Sequence, residues 1–121
     1  MKSHDDFKND LLGRAPAGTS PNGDFVSVMP IQEANNFGIR ETHIIQLTID
    51  TCLRGFIFLH IWDGQAECSL QDWFKRGGTE YDFFHSKTNN GYVRVRLTAF
   101  GAEELDRLKP TQRQIGFAAH T

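Results

Sequence analysis

The spacing of apolar residues changes period several times along the chain, and each change predicts an element. Over residues 3–12, Phe7, Leu11 and Leu12 fall on one helical face, with Ser3 placed to cap and Asp5 and Asp6 in the first turn. Gly13 is expected to stop that helix. Residues 15–23, Ala-Pro-Ala-Gly-Thr-Ser-Pro-Asn-Gly, are rich in breakers and read as a link that need not be ordered. Residues 25–28 read as a short strand. Pro30 suits a first helical turn, and Ile31, Ala34 and Phe37 continue a helix to Gly38. A second helix is expected from about Arg40 to Leu53, ended by Gly55.

Beyond Gly55 the chain turns to strand chemistry. Residues 56–61, Phe-Ile-Phe-Leu-His-Ile, are aromatic and β-branched, and Asp63-Gly64 marks a turn. Ser69 can cap one or two helical turns closed by Gly77-Gly78, residues 81–86 read as extended, and Asn89-Asn90-Gly91 is a hairpin signal. Residues 92–97 alternate with period two, so Val93, Val95 and Leu97 point in and Arg94 and Arg96 out. Thr98 then caps a helix from Ala99 to about Lys109, with Pro110 as its stop and residues 111–121 as a tail. A competing reading makes residues 42–50 a strand, because Ile45, Leu47 and Ile49 alternate with Gln46, Thr48 and Asp50.

The stretch from Ile31 to Ile44 holds a small residue at Ala34, a turn glycine at Gly38, and apolar Phe37, Ile39 and Ile44. Leu47 follows on the same inner face. With Leu53-Arg54-Gly55-Phe56-Ile57 and the phrase Arg96-Leu97-Thr98-Ala99-Phe100-Gly101-Ala102-Glu103-Glu104-Leu105-Asp106-Arg107-Leu108, this pattern resembles winged helix-turn-helix regulators of the MarR and PadR kind. The resemblance implies an α+β winged helix-turn-helix domain over residues 25–110, preceded by an N-terminal helix and link at residues 1–24. Residues 62–91 would be an enlarged wing with an extra short helix and strand. It also implies a sequence-specific DNA-binding transcriptional regulator, expected as a homodimer, with Arg40, Thr42, His43 and Gln46 facing the major groove. Lys87, Arg94 and Arg96 of the wing would then contact phosphates.

Charge complicates that assignment. The 121-residue chain carries a formal net charge of -2, whereas phosphate contact favours a basic surface. The helix at residues 40–54 has Arg40 and Arg54 against Glu41 and Asp50. Only the wing is basic, with Lys75, Arg76, Lys87, Arg94 and Arg96 against Glu80 and Asp82. The alternative is a protein-interaction module, or a small inhibitor or accessory protein, using the aromatic insertion around Trp62, Trp73, Phe74, Phe83 and Phe84.

Catalysis ranks third. Cys52, Cys68, His43, His60 and His85 fall at no metal spacing, and no glycine-rich phosphate loop occurs, so neither metal nor cofactor is expected. Cys52 reads as a buried hydrophobe and His60 as a partly exposed structural residue. Two cysteines are too few for a disulfide scaffold, no apolar run suits a membrane span, and Met1 to Asp6 lacks a secretory signal. A cytoplasmic location is therefore expected.

Overall fold

Four antiparallel strands form one sheet in the order β1-β4-β2-β3, and six helices surround it among the described residues. The computed structural model describes residues 4–16, 25–62, 64–85 and 93–108. In chain order the elements are α1 (His4–Arg14), β1 (Val26–Val28), α2 (Pro30–Phe37), α3 (Glu41–Leu53) and β2 (Ile57–Trp62). Then come β3 (Glu67–Ser69), α4 (Leu70–Lys75), α5 (Glu80–His85), β4 (Val93–Leu97) and α6 (residues 99–108). This is an α+β fold, and none of the described helices is long and apolar enough to cross a membrane.

Directly opposed residues of an antiparallel pair share a sheet face, so the register separates two surfaces. One carries Val28, Val93, Val95, Leu97, Ile57, Leu59, Ile61 and Cys68, all buried. Against it pack Ile44, Ile45 and Ile49 of α3 and Phe7, Leu11 and Leu12 of α1, in one core. The other face carries Ser27, Arg94, Arg96, Phe58, His60, Trp62, Glu67 and Ser69.

Helix α3 is the centre of the helical layer. Seven of its thirteen residues are buried, which leaves only a narrow outward strip. Thr48 and Thr51 are tolerated inside because their hydroxyls donate to the carbonyls of Ile44 and Leu47, at 2.7 and 2.8 Å. The strand reading of residues 42–50 is thereby corrected. Burial on three sides suits the helical period, and the apparent alternation of Ile45, Leu47 and Ile49 is part of a wider apolar surface. Between α2 and α3, Gly38 adopts φ 67° and its N–H donates to Ala34 O at 2.9 Å, a left-handed cap that glycine accepts without a Cβ penalty. Arg14 joins α1 to α2 through a two-pronged bond to buried Glu33, at 2.9 and 3.1 Å.

Several boundaries move. Helix α1 runs through Gly13 to Arg14, α3 begins at Glu41 with Arg40 in the capping position, and β2 is shifted to Ile57–Trp62. Residues 81–86 were expected to be extended, but Glu80–His85 is helical. Thr79 Oγ1 accepts from Asp82 N at 3.1 Å, and Phe83 and Phe84 are fully buried, so capping and packing outweigh the strand preference of Tyr and Phe. The predicted cap at Ser69 is present, accepting from Asp72 N at 3.1 Å. Ser86, the hairpin signal at residues 89–91, Pro110 and the tail lie outside the described residues.

Candidate functional site

The described residues among those expected to contact DNA lie on two elements, the start of α3 and strand β4. Arg40, Thr42 and Gln46 are exposed along the first turns of α3, with His43 half-buried beside them. Lys87 lies outside the described residues. Arg94 and Arg96 are expected to point away from the valines and do, but Arg96 is buried rather than exposed. Arg96 is only 7% exposed, and Arg94 Nη1 bonds Glu67 Oε1 while its guanidinium lies 4.6 Å from the Phe25 ring centre. Alternation along β4 did put both arginines on the face opposite the valines. That face, however, is largely covered at Arg96 and internally paired at Arg94.

Helix α5 lies beside the start of α3. Nε2 of His85 lies 2.7 Å from Oε1 of Glu41, and the Tyr81 and His85 rings approach to 4.4 Å. The approach has no hydrogen-bond geometry at Nε2, so it places α5, which also bears exposed Glu80 and Asp82, beside the first turn of α3 without bonding it there.

The second sheet face carries a group of side chains that sequence reasoning did not assemble. Nδ1 of His60 meets Oε2 of Glu67 at 2.5 Å, across the β2–β3 pair. A carboxylate oxygen only accepts, so Nδ1 of His60 is the donor in this bond. His60 is buried at 9% exposure, which corrects its expected partial exposure, and its Nε2 has no hydrogen-bond partner. Near it a cleft of about 370 Å³ is lined from both sheet faces, by Phe58 and Arg96 on one and Ile57 and Leu59 on the other, and by Cys52 and Gln71 of the helices. Burial pushes the Cys52 thiol up, and this outweighs the opposing contacts from the Leu59 backbone and the Gln71 side chain. That environment holds Cys52 as a thiol and makes it a poor nucleophile.

Aromatic side chains share the sheet face of His60. Phe58 and Trp62 stand on it, and Phe25 meets His60 edge-on at 6.4 Å; all three are about half exposed. Cys68, at the β3 end of the core face, is buried with its sulfur 3.3 Å from Arg76 Nη1. Among the described residues, no three His, Cys, Asp or Glu side chains converge on a cation site. Only the pairing of His60 with Ser69 and Arg94 in register could have hinted at this cluster, and register is set by tertiary structure. No protein-family model, curated protein or solved structure matches the chain.

Proposed function

We propose that this chain is a non-enzymatic winged-helix-type module that binds a protein partner through the open face of its sheet and the adjoining insertion. One observation carries the reading: Phe25, Phe58 and Trp62 stand half exposed on a face where Arg94 and His60 are already bonded to Glu67. Exposed aromatics whose neighbouring charges are paired internally suit burial against another protein, since little further charge must be desolvated. A polyanion would instead need cations aimed at its phosphates. The partner is therefore a protein surface centred on apolar side chains. The winged-helix assignment draws support from the order β1-β4-β2, from β2 and β4 as the strands flanking the insertion, and from the left-handed turn at Gly38.

A second reading, sequence-specific DNA binding as a homodimer, is favoured by the exposure of Arg40, Thr42 and Gln46 together on α3. The two readings separate in one experiment. Affinity capture with the full chain should recover one stoichiometric partner, lost with Trp62→Ser, while gel shifts on random duplexes stay negative from low to physiological salt. Duplex binding that weakens as salt rises and is abolished by Arg40→Ala, with no Trp62-dependent partner, would overturn the protein-binding reading in favour of DNA.

A further inference from the structure

Strand β1 is an edge of the sheet: β4 lies on one side of it, and among the described residues no strand pairs with the other. Thr98 N donates to Phe56 O, at the start of β2. Alternation along β4 therefore turns the backbone groups of Arg94 and Arg96 to β2 and those of Val93 and Val95 to β1. Val26 and Val28, opposite Val95 and Val93, are the residues that β4 bonds. Ser27, opposite Arg94, turns its N–H and C=O away from β4 to the open edge. Met29 continues the strand in extended geometry, φ -108° and ψ 108°, before Pro30 turns the chain into α2. The open edge thus runs only from Phe25 to Met29.

Alternation puts Phe25, Ser27 and Met29 on the sheet face away from the core, and the ring contacts of Phe25 with His60 and Arg94 agree. All three are exposed, Phe25 at 39% and Met29 at 44%. This stretch holds no charged residue and no proline, two devices that usually keep sheet edges apart. The opposite edge differs: β3 begins with Glu67 and passes directly into α4.

We propose that β1 is the seam of a homodimer, in which a second copy adds its own β1 antiparallel about a two-fold axis through Ser27. Ser27 then exchanges both backbone bonds with Ser27 of the second copy, and Phe25 stands opposite Met29 at each end. The strand fits itself, since an aromatic ring meets a thioether, small faces small, and no charge meets its like. Two-fold pairing consumes the open β1 edge of both copies, so the assembly closes as a dimer instead of growing. Of the docking aromatics the seam uses Phe25 alone, and it does not rest on the docking reading.

The test is sedimentation of the full chain from micromolar to near-millimolar concentration, with amide hydrogen exchange at both ends of that range. A doubling of mass with concentration is expected. The Ser27 amide should be protected only at the high end, and those of Val26 and Val28 throughout. Ser27→Pro deletes the donor on both sides of the axis without removing a bond to β4. It should weaken the dimer about thirtyfold while the melting temperature of the monomer holds. Ser27→Lys and Ser27→Asp keep the donor, so they carry the test even where proline unfolds the chain. Each alone should dimerise about fivefold more weakly, and their mixture should favour the heterodimer. A mass that stays that of one chain, a dimer whose Ser27 amide exchanges freely, or a Lys–Asp mixture without preference overturns the proposal. Protection of Ser27 only when a monomeric chain captures another protein overturns it too, and assigns the edge to that protein.

Discussion

Lys8 Nζ donates to Glu104 Oε2 at 2.8 Å, joining α1 to α6 across 96 positions of sequence, with both side chains about nine-tenths buried. The Arg107 guanidinium also reaches Glu104, from one turn further along α6. Hydrogen bonding from Lys8 holds the Glu104 carboxyl below its ordinary value of 4.5, and Arg107 adds to the effect against an opposing contribution from burial. A carboxyl whose value is depressed by folding stabilises the protein above its unfolded value. That contribution is lost as pH falls through the folded value. Acid titration of unfolding should therefore show stability declining below pH 4.5, with a flatter profile in Glu104→Gln. Lys8→Ala should cost about 1–3 kcal/mol by denaturant unfolding, less than for a fully isolated buried pair, because Arg107 remains. An unchanged acid profile in Glu104→Gln would show that this pair is not the source of the pH dependence.

Two residues after β4 hold α6 against the end of α3. Thr98 Oγ1 accepts from Gly101 N at 2.9 Å and donates to the Gly55 carbonyl, while Thr98 N donates to Phe56 O at 3.1 Å. A Cβ on Gly101 would stand 1.8 Å from Phe56 O, an approach that backbone cannot yield without moving. Gly101→Ala should thus destabilise by about 3 kcal/mol, although alanine in a free helix gains about 1 kcal/mol over glycine. Thr98→Ala should cost about 1–2 kcal/mol through the lost cap. Thermal unfolding of both variants checks the order; a neutral or stabilising Gly101→Ala would refute the close approach.

These contacts explain why the sequence phrase around Thr98 was readable. Leu97 ends a strand, Thr98 caps, Gly101 permits the approach to Phe56, and Glu104 is the partner of Lys8. Each is a local chemical requirement, and local requirements leave marks in sequence. The same holds for Gly38, whose positive φ the turn demanded. Helix α5 left a weaker mark, the Thr79 cap, because Tyr81, Phe83 and Phe84 favour strands and the fit of Phe83 and Phe84 into the core is visible only in the fold. Alternation assigned Arg94 and Arg96 to a face, but period two carries no information on what covers that face. The His60–Glu67–Arg94 cluster was illegible for a related reason: 27 residues separate Glu67 from Arg94, and register alone brings them together.

Arg94 also gives a direct discrimination between structural and nucleic-acid roles. Its guanidinium is shared between Glu67 and the Phe25 ring, so Arg94→Gln removes a charge-assisted bond and a cation–π contact. Stability should fall by about 1–2 kcal/mol, with no change in any affinity for duplex DNA. A large loss of duplex binding with unchanged stability would restore Arg94 as a phosphate contact.

The approach of α5 to α3 ties the insertion to the question of DNA binding. Nε2 of His85 lies 2.7 Å from Glu41 Oε1 without hydrogen-bond geometry, and its ring packs on Tyr81, so the helix that carries Glu80 and Asp82 lies at the start of α3. His85→Ala removes both contacts. Amide hydrogen exchange should then quicken over residues 41–46 more than over residues 49–52, since the later turns of α3 stay packed on the sheet. The coupling measured against Glu41→Gln in a double-mutant cycle should be about 0.5–1 kcal/mol, as expected for a partly exposed pair. Exchange that does not change at residues 41–46 would mean α5 is not a brace. Releasing α5, which carries exposed Glu80 and Asp82, also frees the start of α3, where Arg40, Thr42 and Gln46 are exposed. A variant that gains salt-sensitive duplex affinity on losing His85 would show that the insertion masks a DNA-reading helix. Unchanged, negligible affinity in the same variant would leave the aromatic sheet face as the surface through which this chain acts.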